Sequence, residues 1–233
     1  MTVAGCGARR LTRRSLRSGG RFALGTYRPN TSLMNDERVM AAGAKKPSNE
    51  LLYDPDRPRE RPNMPTSNRR PQICILGSAE PGSRAYELAG EAGALLAKLG
   101  ITVVSGCGSP ATRVAAERAI ASGGLVVSII PPDQMPPADW PATVVIPSGM
   151  GDARNLLMAL SGDACIVIGG RAGTISEVCL AWLHKRPLLP LIGQGGWSDG
   201  LLSNPPDERQ NSPILPWGSA VELEAQIRGL GLA

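Results

Sequence analysis

Six short apolar runs punctuate the chain from Gln72 onward: QICILG (72–77), ITVVS (101–105), LVVSII (125–130), ATVVIP (142–147), ACIVIG (164–169) and PLLPLI (187–192). Each is brief, rich in β-branched residues and shows little polar alternation, as a strand does when both of its faces are buried. The segments between most of them have helical period. SRAYELAGEAGALLAKLG sets Leu88, Ala92, Leu95, Leu96 and Leu99 on one face, with Ser83 as cap and Gly100 as stop. SPATRVAAERAIASGG offers Ser109 as cap, Pro110 at the first helical position and Gly123 at the end. Asp152 is placed to cap ARNLLMALSG, and Ile175, Val178, Cys179 and Trp182 recur on one face of the next helix. SAVELEAQIRGLGL closes the chain as a helix. Strand and helix alternating over short turns predict an α/β fold, Rossmann-like, with three α/β/α layers and a mainly parallel sheet of about six strands. Pro190 marks the sixth strand as an edge.

In such sheets a ligand sits outside the carboxyl ends of the strands, where the strand-to-helix turns collect. The candidate binding residues are therefore Gly77 and Ser78 after the first strand and Gly106 and Gly108 after the second. Arg154 and Asn155 follow the fourth, and Gly169, Gly170, Arg171, Gly173, Thr174 and Glu177 follow the fifth. A glycine turn opening a helix aims unpaired N–H groups and the positive end of a helix dipole beyond the strand, so phosphate is its natural guest. Thr174-x-x-Glu177 has a second reading as a capping box, in which each side chain satisfies an orphan N–H group. Arg154, in the first turn of its helix, opposes the dipole by roughly 0.3–1 kcal/mol, which implies a reason for its position other than helix stability. An ion pair with Asp152 is the plain alternative. Arg171 is read as a solvated loop cation or as a fork onto a second phosphate.

Charge divides the chain. Residues 1–70 carry 15 Lys and Arg against 6 Asp and Glu, whereas residues 71–233 carry 10 against 14. The first 35 residues hold seven arginines and no acid, and Lys45 to Pro71 is rich in Pro, Arg and Asn with little apolar period. Residues 1–70 are accordingly expected to be a basic extension, disordered or resembling a transit peptide, ahead of one domain over 71–233. Five cysteines without a C-x-x-C pair argue against a disulfide framework or a zinc site and for a reducing, cytoplasmic compartment, or an organelle if residues 1–35 target one. No window is apolar enough to span a membrane. Beyond the extension only Lys98 and Lys185 are present, both near helix carbonyl ends, which argues against pyridoxal-phosphate chemistry. His184, the only histidine, follows a helix at the end away from the glycine turns. Segment 193–218 has turn chemistry, and Trp197 and Trp217 are expected to anchor it in the core or to cover a ligand.

The stretch ARNLLMALSGDACIVIGGRAGTISEVCLAW resembles the Rossmann-like superfamily containing the Lonely Guy phosphoribohydrolases, the molybdenum cofactor carrier proteins and the DNA-processing protein A family. The family stretch G-G-G-x-G-T-x-S-E aligns with Gly169–Glu177 without a gap, and A-R-N matches Ala153, Arg154 and Asn155. The resemblance implies that Gly170, Gly173 and Thr174 bind phosphate. In the hydrolase branch, Arg154 and Glu177 match the pair implicated in cleaving the N-glycosidic bond of a nucleoside monophosphate. Departures are specific: Gly169 stands where those hydrolases have Pro, Asn155 where they have Lys, and Arg171 replaces a loop glycine. The expectation is that Arg171 compensates for glycines missing from GCGSPATRV.

The resemblance thus implies a carrier holding a phosphate-bearing nucleotide or pterin-type ligand, with molybdenum cofactor as cargo and no cofactor needed for the fold. It also implies a homodimer or homotetramer. The alternative is a nucleoside 5′-monophosphate phosphoribohydrolase. Single-stranded DNA binding is a further reading, carried by VSG at 104–106 and SGG at 122–124. A net negative folded part with few aromatic residues argues against nucleic acid.

Overall fold

The computed structural model describes residues 69–209 and 212–233, so the expectation for the basic extension falls almost wholly outside the described residues. The strands are β1 (Gln72–Ser78), β2 (Thr102–Ser105), β3 (Val126–Ile130), β4 (Val144–Pro147), β5 (Ala164–Gly169) and β6 (Leu188–Pro190). They form one sheet in the order β4-β3-β2-β1-β5-β6, every pair parallel. The helices are α1 (Arg84–Lys98), α2 (Pro110–Ala121), α3 (Asn155–Ser161), α4 (Ala172–Leu183) and α5 (Ala220–Gly229).

Alternate residues of each strand enter opposite cores, which is why the runs read as continuously apolar. Ile73, Ile75, Val103, Ile166 and Ile168 pack with α1, α2 and α5 on one face. Cys74, Leu76, Val104, Cys165 and Val167 pack with Met158 of α3 and Val178 and Trp182 of α4 on the other. Cys74, Cys107, Cys165 and Cys179 are all free. Trp217 is a core residue; its Nε1 donates to the Leu189 carbonyl at 2.9 Å. Arg69 already belongs to the folded part, pairing with Asp163 at 2.8 Å.

The sheet order reverses at β1. Strands run outward from β1 through β2 and β3 to β4, and from β5 to β6 on the other side. The loops after β1 and β5 therefore part company, and the crevice lies between their carboxyl ends. The link from β3 to β4 contains no helix, only the proline-rich chain from Pro131 to Thr143.

Two expectations about helix starts fail. Asp152 does not cap α3: residues Gly151–Arg154 form a 3₁₀ turn, Asp152 lies inside it, and α3 starts only at Asn155 with no side-chain cap. Thr174 and Glu177 do not form a capping box either. Gly169 and Gly170, at φ +54° and +115°, turn the chain so sharply that α4 begins at Ala172 behind an extended Arg171. Thr174 is then inside the first turn and Glu177 in the second. The sheet's last strand is β6, as Pro190 implied, but its outer side is not bare. Leu188 N donates to Pro213 O at 3.0 Å and Trp217 N to Pro190 O at 3.1 Å, so the segment after the long loop covers it.

The capping box that does form is in α2. Ser109 Oγ accepts from Thr112 N at 3.2 Å while Thr112 Oγ1 accepts from Ser109 N at 3.1 Å. Ser109 Oγ also donates to the Gly77 carbonyl at 2.7 Å, tying the β2–α2 turn to the end of β1. Ser109→Ala is expected to cost about 1–2 kcal/mol. Urea unfolding should show a lower midpoint with an unchanged m-value.

Candidate functional site

At the carboxyl edge of the sheet the turns after β1, β2 and β5 meet the 3₁₀ turn before α3 around a cleft of about 340 Å³. Of the sequence candidates, Gly77, Gly106, Gly108, Arg154, Asn155, Gly173, Thr174 and Glu177 line it. Ser78, Gly169, Gly170 and Arg171 instead border a separate depression of about 300 Å³ beside the start of α1. Arg171 is largely exposed there and pairs with Glu80 at 3.4 Å. Sequence reasoning missed Thr112, Pro131 and Met158 as lining residues, and took Ser109 and Asp152 only as caps. It also missed Ser198, which is fully buried. Its Oγ accepts from Gly169 N at 2.9 Å and donates to Leu191 O at 2.9 Å, fixing the β5 turn from below. No periodic or motif signal sets that serine apart.

Arg154 and Glu177 face each other across the cleft with Nη1 and Oε1 3.7 Å apart, their side chains 17% and 10% exposed. That separation is an ion pair but too long for a hydrogen bond. Arg154 Nε and Nη1 are buried and donate to nothing in the protein. A buried donor without a partner costs about 1–3 kcal/mol, more when it carries charge. The expected pairing of Arg154 with Asp152 is absent from the ion pairs of the described residues. Gly106 leaves room for the guanidinium where it stands, since a Cβ there would lie 2.8 Å from Nη1 and displace it.

Burial pushes the Glu177 carboxyl up to about 7, and the Arg154 charge only partly opposes this. The group is therefore close to half protonated at neutral pH, the condition for accepting or delivering a proton. Asn155 Nδ2 donates to Ser176 Oγ at 2.6 Å, and Ser176 Oγ donates to Gly173 O at 2.7 Å. The asparagine thus ties α3 to the first turn of α4. Helix α4 has no side-chain cap, and Gly173 and Thr174 of its first turn line the cleft, an arrangement suited to anions.

A family profile described as the SLOG cluster4 family matches residues 70–211, which is more than half of the chain. The chain belongs to the SLOG cluster4 family. Among curated relatives it is 35% identical over 139 residues to a cytokinin riboside 5′-monophosphate phosphoribohydrolase of Mycobacterium tuberculosis, covering 55% of this chain and 74% of that protein. It is 30% identical over 149 residues to a probable enzyme of the same name from Oryza sativa, covering 59% of this chain and 60% of that protein. Among solved structures, the molybdenum cofactor binding protein of Rippkaea orientalis is 26% identical, with TM-score 0.60 over 70% of this chain and 99% of that one. The molybdenum cofactor carrier protein of Chlamydomonas reinhardtii is 22% identical, with TM-score 0.60 over 71% of this chain and all of that one. DNA processing protein A of Helicobacter pylori shares the fold at 18% identity and TM-score 0.53, over 68% of this chain and 80% of that one. The fold and the membership of this superfamily stand as the sequence implied.

Glu177 generates a pH prediction. Its native proton is held to about pH 7, whereas the unfolded chain releases it near the ordinary value of 4.5. The native state binds the extra proton between those limits, so this group's contribution to stability is complete below 4.5 and is lost as pH rises to 7. The loss amounts to about 3 kcal/mol. Urea unfolding of the unliganded chain at pH 4.5 and pH 8 should show Glu177→Gln gaining on wild type by about that amount at the higher pH.

Proposed function

We propose that this chain binds a phosphate-bearing nucleotide or pterin-type ligand, with the phosphate at the start of α4 and Arg154 reaching across to it. The observation that carries this reading is Arg154, which lines the cleft with its Nε and Nη1 buried and without a hydrogen-bond partner in the protein, beside a helix α4 that starts with no side-chain cap. An anion in the cleft would pair with a guanidinium charge that Glu177, 3.7 Å away, balances only in part. Similarity to proteins named for binding or carrying molybdenum cofactor supports a carrier role with that cofactor as cargo.

A second reading, hydrolysis of a nucleoside 5′-monophosphate, is favoured by the Glu177 carboxyl near 7 beside Arg154 and by curated relatives named as phosphoribohydrolases. Water would add at C1′ as the N-glycosidic bond breaks, giving free base and ribose 5-phosphate. Glu177 carries the proton exchanged in that step, and Arg154 balances charge on the phosphate side. Asn155 in place of a second cation argues for holding over turnover. Single-stranded DNA is not favoured: the folded part is net negative and sparse in aromatic rings.

The reading takes the protein as a homodimer or homotetramer in a reducing, cytoplasmic compartment. Val144, Ile146 and Leu156 are exposed apolar residues available for self-association. No helix among the described residues is long and apolar enough to cross a membrane.

Native mass spectrometry of the freshly purified chain should reveal a co-purifying phosphate-bearing ligand and the subunit count together. Arg154→Ala is expected to weaken nucleotide binding ten- to hundredfold, the loss of a charge-assisted bond of about 1.5–3 kcal/mol. Isothermal titration checks this, and affinity within threefold of wild type would remove Arg154 from the site. Incubation with AMP separates the two readings: free adenine released by wild type and not by Glu177→Gln would make the chain a hydrolase.

A further inference from the structure

A second cleft, of about 400 Å³, adjoins the first along Gly106, Gly108 and Arg154. Its other wall is the helix-free link between β3 and β4. Ile130, Pro131, Pro136, Pro137, Met135 and Trp140 supply most of that wall. This lining is rings and aliphatic carbon. Arg154 is its sole ionisable residue and Gln134 its sole uncharged polar side chain, so nothing in it would compensate a cationic ligand. The wall is also braced. Trp140 Nε1 donates to Ser128 Oγ at 3.0 Å, and the Arg113 guanidinium lies 5.6 Å from the indole centroid. Short hydrogen-bonded turns, Trp140 N to Pro137 O at 3.0 Å and Ala142 N to Trp140 O at 2.8 Å, shape the chain around it. Proline further restricts the loop, so the cleft exists before any ligand arrives.

We propose that this proline-walled cleft is the subsite for a planar heteroaromatic base, with Arg154 shared between the base and the phosphate of one ligand. The inference rests on the phosphate reading above and specifies the other half of the molecule. Rigid walls of proline and indole rings bury the faces of a heteroaromatic system at little entropic cost. A guanidinium at one end adds stacking or donation to a ring nitrogen or carbonyl. The cleft's volume falls within the ~300–1,000 Å³ range of small-molecule sites. The continuity through Gly106 and Gly108 gives base and phosphate a common floor. Specificity for the base would then lie in Gln134, Met135 and Trp140, on the link between β3 and β4.

The test uses the full chain and four probes by isothermal titration: AMP, GMP, adenosine and ribose 5-phosphate. GMP carries the amino-oxo-pyrimidine edge that a pterin shares. Wild type is expected to bind the better of AMP and GMP at least tenfold more tightly than ribose 5-phosphate. Met135→Glu introduces a carboxylate into the cleft at a position already two-thirds exposed. It should lower the ratio of nucleotide to ribose 5-phosphate affinity at least tenfold. Trp140→Ala should lower the same ratio, with unchanged circular dichroism showing that the fold persists. Equal affinity of wild type for ribose 5-phosphate and both nucleotides overturns the base subsite and leaves the phosphate reading standing. Equal affinity for adenosine and AMP does the reverse. Failure of all four probes to bind overturns both, and an unaltered ratio in the two variants overturns the assignment of this wall.

Discussion

Arg154 is the constraint around which the site is organised. A guanidinium removed from water with Nε and Nη1 unpartnered is a standing energetic cost. Glu177 offsets it only in part, because at 3.7 Å the two groups attract without sharing a hydrogen bond and burial raises the carboxyl toward neutrality. The protein could have closed this pair into a tight fork. Holding it open keeps one cation and one titratable acid facing the same cleft, each available to something else. Everything near them serves that spacing: Gly106 gives the guanidinium room, and the 3₁₀ turn at Gly151–Arg154 sets its approach.

The scaffold explains why these groups meet. Reversal of strand order at β1 sends the turns after β1 and β5 to opposite sides, and α4 starts in the gap. Ser109 clamps the β2–α2 turn to Gly77, Ser198 holds Gly169, and Asn155 with Ser176 joins α3 to α4. Four short polar side chains therefore hold the turns around the cleft in place. That rigidity lowers the ordering cost of binding.

Much of the scaffold was legible because double burial leaves a strong trace. ICILG (73–77) and ACIVIG are apolar throughout, since Ile73 and Cys74, or Cys165 and Ile166, enter different cores. Ser83 and Ser109 were read correctly as caps because each precedes an uninterrupted helical period. The site was less legible. Thr174-x-x-Glu177 fits a capping box by spacing alone, and only the positive φ of Gly169 and Gly170 moves the helix start back to Ala172. Asp152 has the chemistry of a cap but lies in a turn that period does not reveal. Arg171 is in the phosphate motif by alignment, yet its side chain leaves toward Glu80. The proline-walled cleft is not legible in the sequence, because a Pro-rich loop around Trp140 does not reveal that it packs beside Arg154.

Asn155 decides how the charge of the site should be weighed. Its amide is engaged with Ser176 Oγ at 2.6 Å and braces α4, so it adds no cation to the cleft. Arg154 is then the only Arg or Lys lining the cleft, opposite a carboxyl that ionises near neutrality. A phosphate arriving at Gly173 and Thr174 adds negative charge near Glu177 and so favours its protonated form. Binding and proton uptake at Glu177 are consequently linked. An anion is held most firmly when the acid is neutral, and ionisation of the acid weakens the hold by the same coupling. One pair of residues would thus support retention with graded release for a carrier, or proton delivery at the N-glycosidic bond of a bound nucleotide for a hydrolase. Both roles draw on the unmet donors of a single arginine and on the incomplete neutralisation of its partner.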